Sequence, residues 1–491
     1  MYYIILSVLF PILAGTCLLV QKEMKSRRNL LIIAGGSLFV TAGLAVSALV
    51  LAGEGMMTLF HLTDRLPVLF KVDEVSVVFA VMTVIIFTGT GFFSFEYMKH
   101  EVKHEKRYYG FYLIAFGVLL ALCFAGNLIT FYLFFELLTL SSMPLVLHNG
   151  SREAVMAGLK YLFYSLCGAY MALFGLYFID SYGNTLTFSA GGVLSSGAIA
   201  QHGGILLIAA MLMLIGFGVK AGMFPLHAWL PTAHPVAPAP ASAVLSAVIV
   251  KAGVLGIVRV VYYIFGASFL RGSWVQSTWL VLTLLTVFMG SMLAYREPVL
   301  KKRLAYSTVS QLSYILFGLA VMDADALTGG ILHVLCHGFI KAVLFLCAGG
   351  IIFKTGKTRV EELRGIGKEM PILMWCYTVA ALGLIGIPPT GGFVSKWYLA
   401  VGSLSGGIPV FEWLGPAVLL VSALLTAGYL LPVTLKGFFP GADYNYEALE
   451  KKEPSPFMTV PVLIFTALSV LIGLFPNEIT GYLLRIAGKV L

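Results

Sequence analysis

The stretch GGILHVLCHGFIKAVLFLCAGG, residues 329–350, indicates the fold class of this chain. Its apolar run has the length of about 20 residues that an α-helix needs to cross the hydrocarbon core of a bilayer. Three ionisable residues, His333, His337 and Lys341, interrupt the run at steps of four, which places them along one stripe of a helix. The sequence therefore predicts a membrane-spanning helix that carries a proton relay.

Composition extends this prediction to the whole chain. Its 491 residues are 59% hydrophobic and 11% charged, with a mean hydropathy of +0.93, whereas soluble domains are about one quarter charged. Long unbroken apolar runs favour helices over the short alternating strands of a barrel. We predict an all-α polytopic membrane protein with about 14 transmembrane helices, near residues 2–21, 30–52, 74–97, 109–126, 127–147, 157–180, 203–231, 241–265, 275–295, 301–321, 325–353, 370–400, 413–438 and 457–487.

The basic residues follow the predicted topology. If the N-terminus lies outside, 21 lysines and arginines fall in cytoplasmic loops and five in outside loops or the C-terminal tail, as the positive-inside rule requires. Both termini are therefore predicted to lie outside a bacterial or archaeal cytoplasmic membrane. The net charge of +9 then reflects topology and not nucleic-acid binding. The cytoplasmic set includes Lys22, Lys25 and Lys103, and the outside set includes Arg65. Because Lys22 follows the first apolar run, that run is predicted to be an uncleaved helix and not a signal peptide.

Six basic residues remain inside the predicted helices: Lys160, Lys220, Lys251, Arg259, Lys341 and Lys396. A cation at the bilayer centre costs about 2.5 to 3.5 kcal/mol on insertion scales, so each needs a partner, water or a route to the surface. Lys160 and Arg259 lie near helix ends and can extend to the interface. The other four lie deeper, which favours a functional role.

One carboxylate, Glu136, lies well inside an apolar helix. Alone it would stay protonated or bond to a neighbouring serine. Because lysines lie at membrane depth in the same chain, charge neutrality motivates the hypothesis that Glu136 forms an ion pair with Lys220.

Two predicted helices contain breaks, and each break lies beside an intramembrane lysine. Residues 220–240 contain Pro225 close to Lys220, and residues 385–399 contain Pro388 and Pro389 close to Lys396. Broken backbone at membrane depth is stable only where it is buried or lines a cavity, and paired breaks point to inverted repeats. We therefore predict three N-terminal helices (1–108), two five-helix repeats (109–265 and 266–438), and a cytoplasmic loop with a last helix (439–491).

No cofactor or metal motif is visible in the sequence. Six cysteines lie in apolar segments without a CxxC spacing, which excludes iron–sulfur and zinc sites and indicates packing as small hydrophobes. The stretch GGIIFKTGKT (349–358) departs from the spacing of a phosphate-binding loop, and no strand precedes it. We predict no cofactor, metal or catalytic redox site on this chain.

Four motifs together resemble the antiporter-like subunits shared by respiratory complex I, membrane-bound hydrogenases and Mrp-type cation/proton antiporters. They are HAWLPTAHPVAPAPASAVLSAVIVKAGVLGIVR (227–259), KKRLAYSTVSQLSYI (301–315), HVLCHGFIKAVLFLCAG (333–349) and PPTGGFVSKWYL (388–399). The resemblance runs from about residue 75 to 435. It implies fourteen helices, two inverted five-helix repeats, broken seventh and twelfth helices and a hydrophilic axis across the membrane.

The resemblance also implies roles for individual residues. Glu136 and Lys220 resemble the family's glutamate–lysine pair, and Lys396 resembles its terminal lysine, where some members carry glutamate. Four further residues resemble the family's connecting relay: Lys251, His333, His337 and Lys341. Secondary candidates for proton transfer are His227, His234 and Lys160.

The predicted function is that of a proton-translocating subunit in a complex I-like, hydrogenase or ferredoxin-linked complex, with Na⁺ as an open alternative ion. The helix sequence ELLTLSSMPLVLHN (136–149) favours this over the alternative, a D-type subunit of an Mrp Na⁺/H⁺ antiporter. Fe–S, Ni–Fe or flavin groups are then expected in a peripheral redox arm, beside other antiporter-like and small membrane subunits. The chain ends at its fourteenth predicted helix and lacks the long lateral helix of the most distal complex I subunit. Two rivals are an independent transporter of an organic solute and a purely structural membrane subunit.

Overall fold

The computed structural model describes residues 2–21, 26–51, 53, 55–64, 66–99, 104–441, 444–445 and 450–491. Four residues of the charge argument, Lys22, Lys25, Arg65 and Lys103, lie outside the described residues. The first half of the chain contains α1 (Tyr2–Val20), α2 (Arg27–Leu51), β1 (Met56–Thr63), β2 (Leu66–Lys71), α3 (Glu74–Tyr97), α4 (Glu105–Cys123), α5 (Leu128–Val146), α6 (Arg152–Tyr182), α7 (Ser196–Lys220), α8 (Leu230–Val236), α9 (Ala239–Val244), α10 (Lys251–Arg259) and α11 (Ala267–Leu270). Two π-helical segments, Leu245–Ile249 and Val260–Phe265, flank α10.

The second half continues with α12 (Trp274–Arg296), α13 (Leu300–Val321), α14 (Ala324–Thr355), α15 (Ile366–Glu369), α16 (Pro371–Ile385), α17 (Gly391–Ser405), α18 (Phe411–Phe438), α19 (Pro456–Leu474) and α20 (Pro476–Val490). Within the described ranges, 13 helices are long and apolar enough to cross a membrane. α16 and α17 have 15 residues each, about 22 Å, so neither alone spans the roughly 30 Å hydrocarbon core. Together, with an interruption at residues 386–390, they occupy the span predicted over residues 370–400.

The most deeply buried helices form the centre of the molecule. The apolar window of the helix over residues 239–265 is 100% buried, and those of α13 and α14 are 94% buried, against 33% for α1, α18 and α19. α14 packs against α3, α9, α13, α16, α17, α19 and α20. The helix that carries His333, His337 and Lys341 is therefore enclosed on all sides by protein, which is where intramembrane charges are tolerated.

Short polar side chains fix where several of the central helices begin. Asn127, Ser151 and Ser195 each accept a hydrogen bond from a backbone N–H of the first turn, in α5, α6 and α7 respectively. Asp323 does the same for α14. These caps satisfy amide groups that have no partner inside the helix and are costly to leave unpaired in a membrane.

The structure departs from the predicted spans at three places. The predicted helix over 203–231 ends at Lys220, because Gly222 has a positive φ of 70° and the chain turns before Pro225. The predicted helix over 457–487 is two helices that meet at Phe475, where Pro476 cannot continue α19. A two-stranded hairpin, β1–β2, occupies a segment for which the sequence analysis predicted only a loop.

The hairpin is fixed by the adjoining turn between α4 and α5. Lys71 N donates to Phe124 O over 2.8 Å, and Gly126 N donates to Leu69 O over 2.8 Å. These tertiary bonds, and not local alternation of apolar residues, explain why the strand pattern was missed. The four-part division of the chain stays a prediction, although each proposed repeat contains one interrupted helix.

Candidate proton-transfer site

Lys220 ends α7 inside the molecule and is 1% exposed. Its ammonium donates to Thr139 Oγ1 over 2.7 Å and to Tyr161 OH over 2.6 Å. The same nitrogen lies 4.7 Å from the centre of the Tyr161 ring. Tyr161 OH in turn lies 2.8 Å from Ser142 Oγ. Hydroxyl groups and a π face, rather than a carboxylate, therefore hold this cation in the structure.

Glu136 does not form the predicted direct ion pair with Lys220. It lies one turn before Thr139 on α5, is partly exposed, and accepts a hydrogen bond from Tyr132 OH at 3.4 Å. Thr139, three residues later on the same side of α5, contacts Lys220 instead. Glu136 and Lys220 still interact electrostatically at longer range. The hypothesis is therefore corrected to two separated charges linked through the α5 surface.

α7 and α10 pack closely where Lys220 meets Gly253. A Cβ on Gly253 would lie 3.0 Å from Lys220 Cβ and 2.8 Å from Ala221 N. Only glycine permits this approach without displacement of one helix. Gly253 therefore fixes the packing of α10, which begins at Lys251, against the end of α7 at Lys220.

Lys251 connects the π-helical segment to α14. Its ammonium nitrogen lies 2.7 Å from His337 Nδ1 and donates to Ser246 O over 2.7 Å. π-helical segments leave backbone carbonyls available for such contacts and recur at functional sites. Ser246 Oγ also lies 2.7 Å from Thr308 Oγ1 of α13. Both Lys251 and His337 are fully buried.

The stripe on α14 leads from His337 to His333. The two imidazole centroids are 6.0 Å apart, as residues four apart on a helix should be. His333 Nδ1 lies 2.9 Å from Ser395 Oγ of α17, and His333 Nε2 lies 3.1 Å from Gln311 Oε1 of α13. Lys341, the third member of the stripe, donates to Leu304 O over 3.0 Å.

Lys396 follows Ser395 and lies at the break between α16 and α17. Its ammonium donates to Leu384 O over 2.6 Å and to Ile385 O over 3.0 Å. These are terminal carbonyls of α16, left without helical partners where the chain turns at Gly386 and enters Pro388 and Pro389. The break therefore supplies oxygen ligands to the lysine, as interrupted membrane helices do for cations.

The three secondary candidates lie in different surroundings. His234 is fully buried, stacks on Phe345 of α14 with ring centroids 4.7 Å apart, and interacts electrostatically with Lys341. His227 is partly buried and stacks on Phe224. Lys160 is partly exposed and lines a surface groove on α6. Only His234 is thus brought next to the relay.

Comparison with known proteins agrees with this geometry. The model of the family described as NADH:quinone oxidoreductase/Mrp antiporter, transmembrane, matches residues 125–431. The chain belongs to this family. It is 34% identical over 398 residues to NADH-quinone oxidoreductase subunit N of Desulforudis audaxviator, covering 78% of this chain and 77% of that protein. It is 27% identical over 489 residues to the D component of the Na⁺/H⁺ antiporter of Bacillus subtilis, covering 98% and 95%.

The fold is shared with a chain of known structure. A chain in the structure of the Mrp complex from Dietzia sp. DQ12-45-1b superposes with a TM-score of 0.84 at 22% identity, covering 100% of this chain and 98% of that one. The protein is therefore an antiporter-like, multi-span membrane protein of the NADH:quinone oxidoreductase/Mrp antiporter family. The resemblance drawn from the four motifs is confirmed.

Several residues of this antiporter-like site were not singled out from the sequence. Thr139 and Tyr161 bind Lys220, and Gln311 and Ser395 bind His333. Gln311 could have been found, because an amide in the middle of an apolar membrane helix needs a buried partner. The hydroxyl groups carry no such signal, since serine, threonine and tyrosine are frequent in membrane helices.

Arg259 was interpreted as extending to the membrane interface, and this is wrong. It is 1% exposed and forms a two-pronged ion pair with Asp73, Nη1–Oδ2 at 2.5 Å and Nη2–Oδ1 at 2.8 Å. The guanidinium also packs against the rings of Phe188 and Tyr263. Burial would raise the pKa of Asp73, but the adjacent guanidinium lowers it to about 2. This pair ties α10 to the N-terminus of α3.

Proposed function

We propose that this chain is a proton-translocating subunit of a complex I-like, hydrogenase or ferredoxin-linked membrane complex. One observation carries the proposal: Lys251, His337 and His333 are buried and follow one another in contact, and Ser395 leads from His333 to the partly buried Lys396. Lys220 is buried at the end of α7, which packs against the helix α10 that carries Lys251. Such a series at membrane depth is expensive unless it serves ion movement.

Charge repulsion gives the series a means of moving protons. The described part of the relay between Lys251 and Lys396 contains no carboxylate in contact with its lysines or histidines. Neighbouring positive charges in a poorly solvated interior repel, so a proton that arrives at one group favours departure from the next. The negative charge of Glu136 on α5 interacts electrostatically with Lys220, the first member of the series, and so affects whether Lys220 keeps its proton.

The membrane potential sets the energy that the switch must supply. Moving one proton against about 150 mV needs about 3.5 kcal/mol, which equals a change of about 2.5 pKa units in a proton carrier. In this proposal, movement of the Glu136 carboxylate relative to Lys220 supplies that energy through the electrostatic interaction of the two groups.

The driving reaction is assigned to partner subunits. Fe–S, Ni–Fe or flavin groups would lie in a peripheral redox arm, and small or antiporter-like membrane subunits would flank this chain in a bacterial or archaeal cytoplasmic membrane. Both termini would face outside, as the distribution of basic residues predicts. The 34% identity to a component of an NADH-quinone oxidoreductase supports this assignment.

A D-type subunit of an Mrp Na⁺/H⁺ antiporter is the second candidate. It is supported by the match to the Bacillus subtilis antiporter component, which extends over 98% of this chain. In that assembly one ion gradient would drive the other, with Na⁺ as a transported ion.

Vesicles that contain the whole purified complex distinguish these functions. NADH, reduced ferredoxin or H₂ should raise a pH or Na⁺ gradient in the wild type and not in Glu136→Ala or Lys396→Ala, with assembly retained. His202→Ala is the control, because His202 stacks on Tyr182 outside the relay. A Na⁺ gradient that moves protons when no electron donor works would instead identify the Mrp type. Solute transport by the isolated chain, or loss of assembly in both variants, would contradict both proposals.

A further inference from the structure

His333 lies between two polar side chains that restrict where its protons can be. Its Nδ1 faces Ser395 Oγ at 2.9 Å, and its Nε2 faces Gln311 Oε1 at 3.1 Å. All three side chains are fully buried. Each polar atom must therefore be matched as a donor or an acceptor by its immediate neighbour.

The orientation of these groups corresponds to a protonated His333. Ser395 has one hydroxyl proton, which it donates to Gly392 O over 3.0 Å. When Ser395 keeps this bond, His333 Nδ1 donates to Ser395 Oγ. The carbonyl oxygen of Gln311 can only accept, so Nε2 must donate as well. With a proton on both nitrogens, the ring is an imidazolium cation.

A neutral His333 requires the opposite orientation of Gln311. If only Nδ1 keeps its proton, Nε2 becomes an acceptor and needs the NH₂ group of the Gln311 amide. A half-turn of that amide exchanges its oxygen and nitrogen at nearly the same positions. In the orientation described above, the amide nitrogen is buried and has no hydrogen-bond partner among the described residues. The half-turn would give that nitrogen a partner, His333 Nε2, and would leave the amide oxygen at the position without a partner.

The second neutral tautomer satisfies fewer groups. With its proton on Nε2, His333 would need Ser395 to donate to Nδ1, which removes the bond to Gly392 O. In either tautomer one atom of the Gln311 amide lacks a partner among the described residues, so the bond to Gly392 O is the difference between the two states. Loss of the proton from Nε2, together with rotation of the amide, is therefore the favoured neutral state.

We propose that Gln311 is a positioning residue whose side-chain amide reverses its orientation each time His333 gains or loses its Nε2 proton. The amide presents oxygen to the cation and nitrogen to the neutral ring. No bond of Gln311 forms or breaks, and the proton passes between His333 and the neighbouring relay groups. Transfer of the Nε2 proton is therefore coupled to rotation of the amide. The inference rests on the proposed function in treating His333 as a carrier.

Other titratable groups also face this ring and will shape its titration. They are His337 from α14, Tyr314 from α13, Lys251 from α10 and Lys396 from α17. A test must therefore follow His333 and Gln311 separately instead of inferring both from activity.

Solid-state NMR of the assembled complex, with ¹⁵N-labelled histidine and glutamine side chains, measures both groups. His333→Ala and Gln311→Met identify the two signals by subtraction. We expect the Gln311 amide signal to shift with the same pH midpoint as the His333 imidazole. An amide signal that stays constant while His333 titrates would overturn the proposal.

Proton flux in vesicles supplies the second measurement. Gln311→Met, which keeps the volume and removes both hydrogen-bonding groups, should lower flux at least tenfold and alter its pH profile. Gln276→Met is the matched control, because this buried amide donates to Ala320 O and accepts from Gly272 N, and so caps a helix. It should lower thermal stability and leave the pH profile unchanged.

The flux measurement also distinguishes failure of the positioning role of Gln311 from failure of the proposed function of the relay. A Gln311→Met complex with wild-type flux and pH profile would overturn the positioning role. If His333→Ala itself pumps at the wild-type rate, the proposed function of the relay fails, while the NMR midpoints still decide whether the amide follows the ring.

Discussion

Lys251 Nζ lies 2.7 Å from His337 Nδ1, and neither group contacts a carboxylate in the described part of the chain. Two positive charges at this separation would repel by about 6 kcal/mol at an effective dielectric constant of 20. The pair therefore shares one proton in preference to holding two. This contact is the bridge between the first half of the relay and the stripe on α14.

Substitution of either partner should interrupt the relay without preventing assembly. We expect Lys251→Met and His337→Gln each to lower proton flux at least tenfold, because each removes a proton-binding group from the middle of the series. Fluorescence quenching of a pH-sensitive dye in vesicles measures this flux. His202→Gln should retain wild-type flux, and normal flux in His337→Gln would place the proton path elsewhere.

The hydroxyl of Tyr161 should control the proton on Lys220. Tyr161→Phe keeps the ring stacked on Trp229, where the centroids are 4.5 Å apart, and removes the hydroxyl with its bonds of 2.6 Å to the ammonium and 2.8 Å to Ser142 Oγ. A hydrogen bond to a charged group contributes about 1.5 to 3 kcal/mol, so we expect flux to change by roughly tenfold or more. Tyr164→Phe, on the same helix, is the control. Equal flux in the two variants would argue against this role.

The sequence predicted the charged members of the site better than their partners. A lysine or histidine inside an apolar run stands out because its insertion cost must be met, so Lys220, Lys251, His333 and Lys396 were found from hydropathy alone. Which groups satisfy them depends on side-chain direction across helices distant in sequence. The error at Glu136 has this origin: charge neutrality required a counter-charge, but hydroxyl groups on two helices meet the need instead.

The helix boundaries that depend on local residues were also predicted better than the features that depend on contacts distant in sequence. The breaks beside Lys220 and Lys396 were predicted, since proline and glycine interrupt helices by their own backbone geometry. Hairpin β1–β2 was not predicted, because its edge bonds reach the turn between α4 and α5. The buried partner of Arg259 was missed for a similar reason, since Asp73 lies 186 residues away in the chain.

The close approach of α7 and α10 should depend on Gly253. A methyl group in Gly253→Ala would lie 2.8 Å from Ala221 N and would have to displace a helix. Overpacking of this kind costs about 1 to 3 kcal/mol, so we expect a lower melting temperature and lower flux. Gly204→Ala in α7 is the matched control, since its Cβ would meet no atom within 4 Å. Helix propensity predicts that this control is neutral or slightly stabilising.

Asp73 should stabilise the fold through Arg259. Asp73→Asn leaves a buried guanidinium without its counter-charge, and we expect a loss of about 3 to 5 kcal/mol. Thermal unfolding of the solubilised complex measures this. In the double variant Asp73→Leu/Arg259→Met the loss should be smaller than the sum of the single changes, because no unpaired charge remains. Additive losses would show that the pair contributes nothing beyond its separate side chains.

His148 should make the stability of the complex depend on pH. It follows α5, is 1% exposed, and its pKa is lowered to about 4 by burial and by the positive charges of Arg107 and His104. The unfolded chain has the ordinary histidine pKa of about 6.5 and so binds more protons between these values.

Stability is therefore full above about pH 6.5 and falls as the pH approaches 4. Linkage gives a loss of about 2 kcal/mol at pH 5 from this residue. His148→Phe keeps an aromatic ring beside Tyr108, whose centroid lies 5.5 Å away, and removes the titrating group. We expect the difference in melting temperature between pH 8 and pH 5 to be smaller in His148→Phe than in the wild type. An unchanged difference would mean that other groups, such as partly buried carboxylates, determine the acid sensitivity.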